Sequence, residues 1–337
     1  MTPSIEPVRL GILGTGFIAA VHAACASHSA NVELVAVAST RGRAARERIG
    51  PVAPGVRLLT LDELITSDDV EAVVVCTRTI DHPAHAVEVI RSGKHLLLEK
   101  PGAVALPAHQ LIADTASHRP ELIVRVAYQR HHDSRFREVA RLIATGAIGE
   151  PFAVHLTSRE NFPPSDDDLA AGGFIMDVGV HDFDTARWLL AKNPDSAYTV
   201  AHSPVYSEAD LDNAYITVAL DGAVATTHLS RTAKLGMDIR CEVVGPDGAI
   251  LLTEHSGSGA ITIFSSSSGA AFPVDCRERF RDAYQSQMDD FGAVCRGHET
   301  LNATLEDDRW AVATAVAARA SAVRREALAV GPSWDWQ

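Results

Sequence analysis

Apolar residues follow two different rhythms along this chain, and the change between them falls near residue 128. Before it, short apolar runs at 8–13, 32–38, 72–77, 95–98 and 122–127 have the length of buried strands. Helical patterns separate them at 20–24, 61–65 and 83–92, the second with Thr60 or Asp62 near its N-cap. Strand, helix and strand in this order predict a parallel sheet wound on both faces. Beyond 128, a helical segment at 136–145 precedes a strand at 152–157. Alternating patterns then predict strands at 198–203, 213–220, 223–230, 239–244, 249–253 and 260–264. Asp221-Gly222 is a hairpin signal, and Pro246-Asp247-Gly248 is a second turn. Such connections suit an open, mainly antiparallel sheet with helices on one face and the other face free for a partner. Helices at 280–295 and 305–324 close the chain. The expectation is an α/β protein of two domains. Residues 1–127 form a doubly wound parallel sheet, and 128–337 an α+β domain.

Within the second rhythm, 172–190 stands out. Gly172-Gly173 releases the chain from Ser165-Asp166-Asp167-Asp168, a solvated loop or helix start, and a helical pattern follows. At roughly 100° per residue, Asp177, His181 and Asp184 share one stripe, while Phe183, Ala186, Leu189 and Leu190 point mostly elsewhere, towards a core. Acid, base and acid beside an apolar face can move protons. The same spacing also serves an ordinary solvated helix.

The first strand runs straight into Gly14-Thr15-Gly16-Phe17-Ile18-Ala19 and then into a helix. This Gly-x-Gly-x-x-Ala order between strand and helix predicts the turn of a dinucleotide-binding Rossmann sheet, the alternative being a glycine-rich turn without a ligand. Its first glycine permits the tight turn, its second lets the backbone approach a pyrophosphate, and the small third residue lets helix and strand pack closely. The helix N-terminus then offers amide donors to phosphates. The next strand ends in Ser39-Thr40-Arg41-Gly42-Arg43, with no acidic residue to hold the ribose hydroxyls of NAD. Two hydroxyls and two guanidiniums suit a 2′-phosphate instead, which favours NADP over NAD.

Thr77, Glu99, Lys100 and Tyr128 fall at predicted strand ends, on the edge where such sheets bind ligands. Pro101 disfavours the helical region for Lys100, so the lysine sits in an extended or turn conformation there.

Charge narrows the field. The 337 residues carry 30 Lys and Arg against 43 Asp and Glu, a net charge of −13, which argues against a nucleic-acid surface. Five scattered cysteines, with no Cys-x-x-Cys pair, suit a reducing cytosol and suggest neither a zinc site nor a disulfide framework. Fifteen histidines lack convincing ligand spacings, so no metal is expected. The N-terminus shows no export signal, and no apolar run is long enough to span a membrane. A cytoplasmic protein is the expectation.

Taken together, these motifs resemble the glucose–fructose oxidoreductase / inositol dehydrogenase (GFO/IDH/MocA) family over nearly the whole chain. The glycine turn, Glu99-Lys100-Pro101 and the Asp177/His181 helix carry the resemblance. Thr79-Ile80-Asp81-His82, Gly146-Ala147-Ile148-Gly149-Glu150-Pro151 and Glu242-Val243-Val244-Gly245-Pro246-Asp247-Gly248 support it. The 172–184 stretch looks most like the inositol 2-dehydrogenase branch. The resemblance implies that Gly14, Gly16, Phe17 and Ile18 cradle a pyrophosphate, that Ser39, Thr40 and Arg41 hold the adenosine ribose, and that Thr77, His82, Glu99 and Lys100 complete the cofactor site. It implies further that Lys100 polarises the reacting oxygen, that His181 exchanges its proton, and that Asp177 binds substrate hydroxyls and orients the imidazole. Arg130, Arg159 and Asp184 would line the substrate pocket. Arg78, where the family usually has proline, and His131-His132, in place of an Arg-aromatic pair, depart from the pattern and leave the substrate open. The implied activity is NAD(P)-dependent hydride transfer on a secondary alcohol of a cyclic polyol or sugar, by a homo-oligomer (dimer or tetramer). The alternatives are an NADPH-dependent sugar or amino-sugar ketoreductase and a non-catalytic dinucleotide sensor.

Overall fold

Six short strands, each followed by a helix or turn that returns the chain to the same end, build the first sheet. In the computed structural model β1 (Val8–Leu13) leads through α1 (Phe17–His28) to β2 (Val32–Ala38), α2 (Arg43–Ile49), β3 (Arg57–Leu59) and α3 (Leu61–Thr66). There follow β4 (Ala72–Val75), α4 (His82–Arg91), β5 (His95–Leu98), α5 (Leu106–Ser117) and β6 (Val124–Val126). The order is β3-β2-β1-β4-β5-β6, with every pair parallel. This is the doubly wound dinucleotide-binding arrangement. Its strands are apolar on both faces because helices cover both. Val73, Val75, Leu96 and Leu98 are fully buried in one core with Ala86, Val89, Ile90 and Ile112. Thr60 caps α3 in a capping box with Glu63, which settles the choice between Thr60 and Asp62. The three-residue edge strand β3 and the helix α5 are not marked by the hydrophobic pattern.

The structure describes residues 6–39, 42–203, 205–206, 210–234, 236–253, 272–299 and 303–331. Thr40, Arg41 and the strand expected at 260–264 lie outside them.

The second sheet is mixed. After α6 (Ser134–Ala144) come β7 (Ala153–Arg159), α7 (Asp166–Ala170), a π-helical turn (Ile175–Gly179) and α8 (Val180–Leu190). The chain continues through β8 (Ser196–His202), β9 (Asn213–Leu220), β10 (Ala223–Ser230), β11 (Asp238–Gly245) and β12 (Gly248–Leu252). It ends with α9 (Cys276–Arg279), α10 (Arg281–Cys295), α11 (Leu305–Arg324) and β13 (Leu328–Ala329). The order is β12-β11-β7-β10-β9-β8-β13, and among the described residues only β7 and β10 pair in parallel. Strict alternation of buried and exposed positions in β9 gives the sheet one covered face. On the other face Tyr198, Val200, Tyr215, Val224 and Leu251 are exposed.

Two compact units result, 1–133 with 281–306, and 134–280 with 307–337. The single boundary read at 127/128 does not anticipate that α10 returns to the first unit. Gly292 allows it, since a Cβ there would lie 2.7 Å from the Asn31 carbonyl oxygen. Gln285 donates to the Cys25 carbonyl, and the Arg296 guanidinium joins Glu71 to the Glu6 and Pro7 carbonyls. Among the described residues, no helix is long and apolar enough to cross a membrane.

Candidate active site

Because the strands of the first sheet are parallel, the ends of β1, β2, β4, β5 and β6 open on one edge. The glycine turn, Ser39, Thr77, Glu99-Lys100 and Arg130 are therefore collected there. At Gly14, φ is +122°, and a Cβ would overlap the Cys76 carbonyl oxygen at the end of β4. Only glycine fits that approach. A Cβ at Gly16 would meet nothing within 4 Å, so its absence leaves open space at the first turn of α1. That turn has no acidic residue, and first-turn amides lack acceptors within their own helix. These features fit a dinucleotide pyrophosphate. Ser39 stands beside the turn with its hydroxyl 3.0 Å from that of Thr15.

His82 turns inward instead. It is buried, with Nδ1 2.9 Å from the Pro101 carbonyl oxygen and Nε2 3.2 Å from that of Thr77. Both ring nitrogens face backbone, so His82 braces the Lys100-Pro101 turn against the end of β4. Thr77 in turn places its hydroxyl 3.0 Å from His85 Nδ1. Glu99 is buried, and with Lys100 it follows β5 directly. Burial and the Glu99 charge together hold the Cys76 thiol well above its ordinary range. Arg130 is buried in a 3-10 turn, Gln129–His132, and His132 in the same turn meets Asp290 of α10 at 2.8 Å. Arg78 is an exposed surface residue paired with Asp81.

In the second unit, Gly172 and Gly173 both have positive φ, +110° and +69°, and turn the chain from α7 into the Asp177/His181 helix. The sequence predicts regular helix here, but the first turn, which carries Asp177, is π-helical. Such turns frequently occur at functional sites. Gly179 lets the helix lie close on β10, since a Cβ there would be 3.1 Å from Leu229. Asp182 then anchors it. Fully buried, it accepts hydrogen bonds from Ser158 Oγ on β7 (2.7 Å) and from Thr227 Oγ1 on β10. His181 and Asp184 are largely buried, whereas Asp177 is half-buried.

Sequence reading missed Arg231. Its guanidinium is fully buried, 4.6 Å from the Phe174 ring centroid, with Nε 3.0 Å from Asp210 and Nη2 4.0 Å from Asp177. Burial pushes the Asp210 carboxyl above its ordinary value, opposed by the Arg231 charge. A signal existed. Continuing the inward parity of Thr227 and Leu229 puts an arginine on the covered face at 231.

Arg159 is not brought to Asp177 and His181. Its neighbour Ser158 faces α8, so Arg159 lies on the opposite face of the sheet, with its Nε donating to His228 Nδ1 and Nη1 3.3 Å from Asp238. His228 donates from Nε2 to Asn213 Oδ1 and stacks on Tyr215 at 4.2 Å. The pocket role expected for Arg159 gives way to bracing the outer face.

The family model described as an oxidoreductase family with an NAD-binding Rossmann fold matches residues 8–128, and the GFO/IDH/MocA C-terminal domain matches 136–251. Inositol 2-dehydrogenase of Rhizobium meliloti (strain 1021) is 31% identical over 337 residues, covering 96% of this chain and 99% of that protein. The chain belongs to the GFO/IDH/MocA oxidoreductase family. The 1,5-anhydro-D-fructose reductase of Ensifer adhaerens is 26% identical, covering 96% of this chain and 98% of that one. Myo-inositol dehydrogenase from Lactobacillus casei, crystallised with NAD(H) and myo-inositol, shares the fold of this family member. Its TM-score is 0.84 at 23% identity, over 96% of this chain and 97% of that one.

The His228 network makes a prediction. Burial, then the Arg159 charge, lowers its pKa from 6.5 to about 4, with Asp238 opposing. The unfolded chain takes up this proton near pH 6.5 and the folded chain only near 4, so the unfolded state holds more protons in between. Stability is therefore lost as the pH falls through that window. His228→Gln should flatten this part of the curve, read as urea midpoints against pH. Superimposable curves for variant and parent would reject the assignment.

Proposed function

We propose that this family member oxidises a secondary alcohol of a cyclic polyol, or reduces the matching ketone, as an inositol 2-dehydrogenase-like enzyme using NAD(P). The observation that carries the chemistry is the Asp177/His181 helix, anchored by buried Asp182 and backed by buried Arg231. The polyol class rests on the full-length similarity to inositol 2-dehydrogenase. A dinucleotide held by its pyrophosphate at Gly14 and Gly16 would supply the hydride acceptor or donor. In oxidation, neutral His181 takes the hydroxyl proton, and in reduction the imidazolium gives it back. Asp177 accepts hydrogen bonds from substrate hydroxyls and holds the imidazole orientation. The Lys100 ammonium stabilises the developing oxyanion, an effect that grows as water is excluded. Arg130 and Asp184 contact further substrate hydroxyls. Five cysteines scattered along the chain suit this enzyme to the reducing cytoplasm.

A reductive role is the second reading. The similarity to a 1,5-anhydro-D-fructose reductase favours it, as does the 39–43 segment without an acidic residue.

His181→Ala should fold and bind cofactor while turnover with myo-inositol falls by about 10²–10⁴. A folded, cofactor-binding variant that keeps most of the parent's turnover rejects the acid–base role.

NADPH should bind more tightly than NADH, and Arg41→Ala should erase the difference. Titration of cofactor fluorescence reads both, and an NADH preference in the parent protein excludes the assignment. Comparing turnover of inositols with NADP⁺ against 1,5-anhydro-D-fructose with NADPH separates the two directions.

The apolar outer face of the second sheet serves to join copies of the chain into a dimer or tetramer. Light scattering at micromolar concentration should give a multiple of the chain mass, reduced by Tyr215→Asp. A monomeric parent protein disproves it.

A further inference from the structure

The Glu99 carboxylate divides its two oxygens between different tasks. Oε2 accepts the backbone N–H of Lys100 at 3.1 Å, and Oε1 lies 2.7 Å from Nε2 of His22 on α1. His22 is completely buried, and its ring meets Tyr284 of α10 edge-on, with centroids 6.1 Å apart and planes at 82°. An ionised carboxylate only accepts, so the proton of this bond sits on Nε2. Nδ1 of His22 is buried with no hydrogen-bond partner, so a second ring proton there would be an orphaned donor. Nε2 is therefore the donor of the ring to Glu99.

We propose that His22 is a positioning residue for Lys100, fixing the Glu99 carboxylate that in turn holds the backbone amide from which the lysine side chain projects. The proposal rests on the reading that Lys100 stabilises the reacting oxygen. Without the His22 donor, Oε1 is left buried and unpaired, and the Glu99 carboxylate rotates. That rotation loosens the Lys100 amide and moves the ammonium off its aim. Reacting groups misplaced by about 1 Å lose on the order of 10²-fold in rate.

The test compares His22→Leu, His22→Gln and Lys100→Met with the parent protein, using myo-inositol and NADP⁺. His22→Leu keeps the volume and removes the donor. Its kcat should fall by about 10–10²-fold with KM little changed. His22→Gln, whose amide donates to the same oxygen, should restore most of the loss. On a Lys100→Met background, His22→Leu should add nothing further. Independently of turnover, amide exchange at Lys100, followed by NMR, should be faster in His22→Leu. A purely packing role predicts a lower Tm with kcat and Lys100 exchange unchanged, and that result overturns the proposal. Retained kcat in Lys100→Met overturns the reading of Lys100 instead. If His22→Leu does not fold, Glu99→Gln replaces it. An amide oxygen and amide nitrogen cannot both accept, so the same loss of kcat is expected, and parental kcat overturns the proposal.

Discussion

Parallel pairing is the constraint on which the first unit depends. Five of its six strands carry a group of interest at or just beyond the carboxyl end, and only a common direction collects those ends on one edge. Reversing a strand of four to six residues would carry its end group roughly 13–20 Å away. The glycine turn then closes the gap between β1 and β4, because Gly14 lies against the Cys76 carbonyl where no side chain fits. His82 completes the edge from within by spanning two backbone carbonyls. A neutral imidazole donates to one of these carbonyls, and the ring fills the space between the two loops.

The second unit places its functional helix by a different device. No strand direction aims α8. A single buried carboxylate does so, since Asp182 accepts hydroxyl donors from two strands of the sheet. With that face held down, His181 one residue earlier is directed elsewhere. Asp177 lies in the π-helical turn above Arg231, a buried cation that also answers Asp210. Removing one member of such a pair leaves an uncompensated buried charge, at about 3–5 kcal/mol. Burial of this kind therefore restricts these carboxylates to few arrangements. Arg159, His228 and Asp238 repeat the device on the outer face.

Much of this protein was legible in its sequence because the relevant physics is local. Continuous apolar runs, Gly14-x-Gly16, Asp221-Gly222 and the four-residue spacing of Asp177 and His181 each act within a few residues, and the expected strands and helices follow from them. Edge strand β3 escaped because three residues show no period. The return of α10 escaped because its signal, Gly292, gains meaning only against Asn31 and Val32. What the tertiary structure alone decided are the partnerships across long separations. His22 meets Glu99 across 77 positions, and Asp182 meets Ser158 and Thr227 across 24 and 45. Likewise, which face of β7 receives α8, and hence that Arg159 is turned away from His181, depends on how layers stack. Local periodicity tells a strand that it has two faces, but only packing decides which one is covered.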